Sequence, residues 1–505
     1  MINYTPQNQL SLSLFKHPFQ QELDRENRWI KLAELVPWDE LANVYSRHLR
    51  NDTGRLSVDI RTVIAALIIK HKMNLDDRGT VEMIQENIYL QYFCGLREFT
   101  TKRVFEPSLF VDIRKRLGGK EFDQFNKLVI EKSEQIKPPQ SRIKTRNKSA
   151  QQNKDDGSSE LASNRGTLKV DATVADQEVN YPTDLGLLHT SREQLERIID
   201  LLHIKSEDGD KPRDYRRVAR KDYLNLAKKK RKSKKQIRKG VKSQLQYVAR
   251  DLRFIDKLIK KPGRKHQLVR RDNDLLETIR KVYQQQKWMY DNRTHVCPDR
   301  IISLYQPHVR PIVRGKEGRN TEFGSKINVS EVNGFSWINT LSWNAFNEGG
   351  DLKNQVEDYK RTYGCYPKSL LADKIYLTRE NRKYLKEKGI QIYGKPLGRP
   401  PKHNSETPAQ KHYKKKQEAK RNHVEGKFGQ GKRGYGLNNI KARLAETSES
   451  WIHAIFFVMN LTQLVELAKK YPEFFVPFFG YLKNALLNEI FAFFTYQKFK
   501  YAILG

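Results

Sequence analysis

Three carboxylates carry the most chemical information in this sequence. Asp171 ends a strand-like run within GTLKVDATVA, Asp373 ends a second one, KSLLADKIY, and Glu425 lies in a basic, helix-like segment, KRNHVEGKFGQGKRGYGL. Two strand ends and one helix can deliver their side chains to a single point. Carboxylates gathered in this way raise one another's proton affinity unless a cation offsets them. Hard divalent cations prefer oxygen ligands. Two such ions roughly 3.5–4 Å apart form an apparatus for displacement reactions at phosphodiesters.

Other acids compete for these positions. Asp176, Glu178 and Asp184 lie near Asp171, but only Asp171 directly follows the apolar LKV and precedes the β-favouring ATV. Near Asp373 the rival is Glu380, which falls in the next helix-like stretch. Glu446 and Glu449 compete with Glu425. The glycine-rich run GKFGQGKRGYG lacks the GxxxxGK[ST] form and no strand leads into it, so an ATP site is not expected. His403, His412 and His423 are spread over a loop and a helix and read as surface or DNA-facing residues. Trp337 and Trp343, in SWINTLSW, are expected in the core, with base stacking as the alternative.

The chain has 505 residues and a net charge of +36. The length allows several domains and a large buried core. The charge calls for a polyanionic partner, and nucleic acid is the leading choice. Three cysteines with no CxxC pair or Cys/His cluster argue against structural zinc and for reduced thiols. The first residues, MINYTPQNQLSLSLF, predict no signal peptide. WIHAIFFVMNLTQLVELAKK is interrupted by Asn460, Thr462, Gln463 and Glu466 and reads as a buried helix, so no membrane contact is expected. These features place the chain in the cytoplasm, associated with the nucleoid.

Residues 1–135 read as a helical, DNA-binding domain. RLSVDIRTVIAALIIKHKMNL predicts a helix capped by Ser57, and TVEMIQENIYLQYFCGL one or two more. A helix-turn-helix fits this pattern, and so does an ordinary bundle. Residues 136–165 are polar and read as a flexible linker. A catalytic domain spans 166–445, interrupted by a basic helical insertion over 190–295. Residues 446–505 form apolar C-terminal helices.

Within the insertion, 211–242 holds 16 Lys/Arg and two Asp, and 228–242 holds ten basic residues and no acid. One long helix is expected here. Lys229, Lys230, Arg231, Lys232, Lys234 and Lys235 would form a phosphate-binding face on it. Ile237, Val241, Leu245, Val248, Leu252, Ile255 and Ile259 recur at nearly heptad spacing, which suggests a helical hairpin or a short coiled coil. Further on, VNG is a hairpin cue, DLKNQVEDYKRTYG and RENRKYLKEKGI predict helices, and IQIYGK predicts a short strand. With the insertion removed, an α/β, mixed-sheet core of the ribonuclease H-like kind remains, with acids at strand ends.

KVDATVADQEVNYPTDLGLL, LLADKIYLTRENRKYLKEKGI and RNHVEGKFGQGKRGYGLNNIKARL resemble the three catalytic blocks of the DDE transposases of bacterial and archaeal insertion sequences. The third block keeps R-x3-E-x6-K as Arg421, Glu425 and Lys432. A Tyr often found three residues before the Arg is replaced by Glu418, so its role does not carry over. The resemblance spans roughly residues 55–465 and includes SWIHAIFFVMNL as the C-terminal helix.

The resemblance implies cleavage of double-stranded DNA at terminal inverted repeats followed by strand transfer into target DNA. It implies two Mg²⁺ ions, with Mn²⁺ tolerated, held by Asp171, Asp373 and Glu425. Arg421, Lys432 and the adjacent Arg433 would contact DNA. Two chains or more would act on paired ends. The apolar stretch 474–494 and the seam over 237–259 are the candidate contacts between copies. The competing readings are a repurposed DNA-binding protein without activity and a metal-dependent nuclease without strand transfer.

Overall fold

The computed structural model describes residues 2–6, 22–49, 56–143, 164–211, 213–262, 268–313, 321–393 and 407–472, with the side chains of Lys411, Lys414 and Glu418 left out. Most of the linker, His403 and the apolar stretch 474–494 therefore lie outside the described residues. The N-terminal helices are α1 (Arg28–Leu35), α2 (Trp38–Ser46), α3 (Ile60–Lys72), α4 (Asp77–Glu86), α5 (Ile88–Phe93), α6 (Leu109–Arg116) and α7 (Gly119–Ile136). Strand β1 (Thr167–Asp176) is followed by α8 (Asp184–Leu202), α9 (Lys205–Asp208), α10 (Arg216–Ala227), α11 (Lys234–Ile259) and α12 (Arg270–Asp291). Then come β2 (Arg310–Val313), β3 (Thr321–Val332), β4 (Phe335–Ser342), α13 (Leu352–Tyr363), β5 (Ser369–Leu371), α14 (Arg379–Glu387), β6 (Gln391–Tyr393), α15 (Pro408–Ala419), α16 (Asn422–Gly434) and α17 (Ala445–Lys470).

The chain is α/β with a mixed sheet. Its strands run in the order β2-β3-β1-β5-β6, and β4 also pairs with β3. β1 is antiparallel to β3 and parallel to β5, which is itself parallel to β6. The β3–β4 hairpin turns on Asn333 (φ 53°) and Gly334 (φ 89°), the left-handed pair that a two-residue hairpin requires. At Gly324 the backbones of β3 and β1 come so close that a Cβ would lie 1.9 Å from the Ala175 carbonyl oxygen. No side chain is tolerated at that crossing.

One apolar core runs from the N-terminal helices through the sheet to α17. Helix α17 is apolar and long enough to cross a membrane, but it is packed between α7, α3, α6 and β4. Asn460, which interrupts its apolar sequence, is buried and fully bonded. Its Oδ1 accepts from the Ser336 N–H at 2.8 Å, and its Nδ2 donates to Asn126 Oδ1 and the Ser336 carbonyl at 2.8 and 2.7 Å. A buried amide so satisfied ties α17, β4 and α7 in one register. Helix α3 is capped by Asp59, which accepts from the Thr62 N–H, and not by Ser57, which instead accepts from the Asn3 N–H. Asn87 divides α4 from α5 by capping the second of them.

A second apolar cluster lies in the insertion, where α8, α11 and α12 pack together. The heptad-like seam is buried here: Val241, Leu245, Val248, Leu252 and Ile255 all face the chain's own helices. Those five residues are therefore taken up within the chain, while Ile237 stays exposed. The single long basic helix is broken in two. α10 stops at Ala227, and Ser233 restarts the helix as α11 through a capping box with Gln236. A serine with a glutamine three residues on is a start signal, and it prevails over the helix-favouring lysines around it.

Candidate active site

Asp171 lies inside β1, not at a strand end, because the β-branched residues of ATVAD carry the strand on to Asp176. Asp373 does follow a strand. It comes two residues after β5 and accepts from its neighbour, the Lys374 N–H, at 2.7 Å at the start of a 3-10 turn. The parallel register pairs Lys169 with Leu371. Asp373 lies beyond this last pair, past the end of the strand that neighbours the one carrying Asp171. Two-residue periodicity within β1 keeps Asp171 on the side of the sheet that Lys169 occupies.

Helix α16 packs on β1 and carries Glu425 in its first turn, where the helix dipole favours a carboxylate. Arg421, at the cap position of this helix, joins two of the acids. Its guanidinium lies 2.9 Å from Glu425 Oε1 and 3.6 Å from Asp171 Oδ2. The residue expected to contact DNA is therefore a counter-ion between carboxylates.

Asp171 is perturbed by its surroundings. Burial pushes its carboxyl up to about 6, and Glu348 and Glu425 push the same way. The Ala172 N–H, which donates at 2.8 Å, and Arg421 oppose this shift without cancelling it. Glu348 was not foreseen from sequence. It comes from the loop NEGGD before α13 and pairs with Lys326 at 2.8 Å. No periodicity or spacing marks that loop; only the tertiary fold brings it to Asp171.

A polar layer supports the site from the other side of the sheet. Tyr376 donates to Asn328 Oδ1 at 2.6 Å, and Asn328 donates to Asp351 at 3.1 Å. Burial, then the charges of Glu348, Asp171, Asp351 and Asp373, hold the Tyr376 phenol protonated well above its usual range.

Lys432 does not turn toward Glu425. It reaches Asp176 at 3.6 Å and Glu322 at 3.4 Å, so it fastens α16 to the ends of β1 and β3. Arg433 is exposed and makes no ion pair among the described residues. The glycine-rich run is helical as far as Gly434. Trp337 is buried against Tyr363, whereas Trp343 is partly exposed, lies edge-on to His308 and donates to Glu449 at 2.7 Å. His412 and His423 are exposed.

Lys229, Lys230, Arg231, Lys232, Lys234 and Lys235 are all exposed, on the α10–α11 loop and the first turn of α11, and none makes an ion pair among the described residues. Further along, Arg238 is engaged with Tyr290, donating to its carbonyl at 2.9 Å. An unpaired basic loop offers phosphate contacts without first breaking internal bonds. Exchanging Lys229, Lys230, Lys232 and Lys234 for Gln is expected to flatten the slope of log K against log salt for duplex DNA by about 0.9 for each phosphate that is no longer neutralised. An unchanged slope would mean a merely solvated loop.

No three His, Cys, Asp or Glu side chains close on one point to hold a metal among the described residues. Residues 370–462, which include Asp373 and Glu425, match the family model described as "Transposase DDE domain". Residues 17–116 match the one described as "Transposase domain (DUF772)". A Rhizobium meliloti protein described as "Uncharacterized protein ORF8 in nfe locus" is 24% identical over 208 residues, covering 41% of this chain and 87% of that protein. No solved structure matches. Transposase family models thus match both the N-terminal helices and the segment that carries Asp373 and Glu425, and these matches support an insertion-sequence DDE transposase.

Proposed function

We propose that this transposase cuts double-stranded DNA at the terminal inverted repeats of its element and joins the freed 3′ ends to target DNA. The observation that carries the reading is the placement of three acids from separate blocks. Asp373 follows β5, the parallel neighbour of the strand that carries Asp171, and Arg421 ties Glu425 to Asp171. The strand order β4-β3-β1-β5-β6, with β1, β5 and β6 parallel and β3 reversed, supports a ribonuclease H-like core into which α8–α12 are inserted after β1.

The donors fit a hard divalent ion. All three are carboxylates, with no thiolate or imidazole among them, and Asp171 is short of positive charge even with Arg421 beside it. Asp171, Asp373 and Glu425 would hold Mg²⁺, or Mn²⁺ in its place, as two ions. When bound, these supply activation of the attacking oxygen and stabilisation of the leaving one. The chain's own residues do the rest. Asp171 must be ionised and Arg421 must give up its bridge. Arg421, so released, is placed to hold a phosphate near the cut by charge-assisted hydrogen bonds. In the first displacement water attacks a phosphodiester and a 3′-OH leaves. In the second that 3′-OH attacks target DNA and the target's own 3′ oxygen leaves.

Incubating the protein with DNA carrying the ends of its own element and Mg²⁺, with and without target DNA, tests the reading. Cleaved ends and a joined product are expected. Cleavage without joining would make it a nuclease, and binding without cleavage a repurposed DNA-binding protein.

Joining two ends in one event calls for two chains at least. Mixing wild type with Glu425→Gln protein on paired ends should therefore depress cleavage more steeply than the wild-type fraction falls. Strict proportionality, with a monomeric complex in sedimentation, would exclude the paired scheme.

A further inference from the structure

A cavity of about 470 Å³ opens where the turn between α3 and α4 meets the end of α16 and the loop after it. Asn74 comes from the first of these, Lys432 and Arg433 from the second, and Asn438, Asn439 and Lys441 from the third. No carboxylate lines it. Lys432 is shared with Asp176 and Glu322, so its charge is already balanced. Arg433 and Lys441 are exposed and make no ion pair among the described residues. The walls thus offer two uncompensated cations and three amide side chains.

The cavity exists only because the two parts of the chain touch. Asn74 adopts a left-handed backbone (φ 53°) and Gly436 another (φ 71°). A Cβ on Gly436 would lie 2.5 Å from Asn74 Oδ1. Glycine is required for that approach, and it brings an N-terminal amide beside the catalytic helix.

We propose that this cavity holds one backbone phosphate of the bound DNA, clamped between the N-terminal helices and α16. The inference rests on the transposase reading and assigns part of its DNA path. A tetrahedral oxyanion matches the lining, because guanidinium, ammonium and amide N–H groups all donate to it. Arg433 follows Glu425 by eight residues on the same helix, about 12 Å along its axis. At about 3.4 Å of duplex per phosphate on a strand, the bound group lies on the order of three phosphates from the reacting one.

The test measures duplex affinity against salt for wild type, Arg433→Gln, Lys441→Gln and the double variant. Two cations on one phosphate act as a unit. Each single variant should lose up to about 0.9 from the slope, and the double no more than about 0.9 in all. Asn74→Asp, which keeps a residue tolerant of the left-handed turn, should weaken binding about tenfold by placing a carboxylate against the phosphate. A double variant that loses well over about 0.9 in all, or nothing, overturns the site, and so does an Asn74→Asp protein with wild-type affinity. Inorganic phosphate at constant ionic strength separates the two sources of this ligand. If millimolar phosphate raises the melting temperature of wild type but not of the double variant, while the DNA slope is unchanged, the cavity serves free phosphate and the DNA assignment falls. A wild type that binds no duplex at any salt overturns the transposase reading itself. Normal wild-type binding with unaffected variants overturns this inference alone.

Discussion

Asp373→Ala is expected to lower strand cleavage and joining by about three orders of magnitude or more, because a missing metal ligand removes about 4 kcal/mol or more at the chemical step. DNA affinity should stay within about twofold, since binding rests on basic surfaces and not on the acids. Asp373 is well suited to this measurement. It is exposed, and the hydrogen bond that its side chain makes among the described residues is the cap to Lys374, worth about 1 kcal/mol, so the variant should fold. Asp171→Ala and Glu425→Ala should be equally inactive. Cleavage is measured on labelled element ends with Mg²⁺, and affinity on the same DNA in Ca²⁺. An Asp373→Ala protein that cuts at the normal rate would sink the assignment of all three acids, because the proposed ion site needs each of them as a ligand.

How much of this could be read beforehand depended on how local each signal is. The Asn-Gly hairpin was legible because both left-handed residues are written into the turn. The helix over Leu352–Tyr363 and the strand Ser369–Leu371 were legible from periodicity and a short apolar run. The basic run was misread as one helix because ten cations in 228–242 obscured one serine and its glutamine. The seam over 237–259 had the right spacing but the wrong partner, since periodicity shows that a face is buried and not what buries it. The acids stood out in the sequence one by one, but the contacts that couple them did not. Glu348, the Arg421 bridge and the reach of Lys432 to Asp176 and Glu322 all depend on contacts between distant segments. R-x3-E-x6-K thus names residues that the fold uses differently: one bridges acids, and the other fastens a helix to the sheet.

Asp171→Asn is expected to make the metal-free protein more stable near pH 7.5 while abolishing its activity. In the folded chain the carboxyl titrates at about 6, against a reference of 3.8, chiefly because burial penalises its charge. The raised value means that the neutral acid is the better tolerated form. That advantage is present in full below the unfolded-state value and is lost as pH rises through about 6. Above pH 6 the ionised group therefore costs about 1–3 kcal/mol, and a neutral amide of the same shape does not incur this cost. Thermal unfolding should show a higher melting temperature for Asp171→Asn at pH 7.5 and little difference near pH 4, where the native carboxyl is already protonated. Divalent ions should reverse the order. A ligand that binds only the folded state stabilises it, so Mn²⁺ should raise the melting temperature of wild type and leave Asp171→Asn nearly unmoved. Below pH 6 a proton competes for the same oxygens, and the Mn²⁺ effect on wild type should fall by about tenfold in affinity per pH unit. If Asp171→Asn is no more stable than wild type at pH 7.5, burial does not govern this carboxyl. If Mn²⁺ stabilises both proteins equally, Asp171 is not among its ligands.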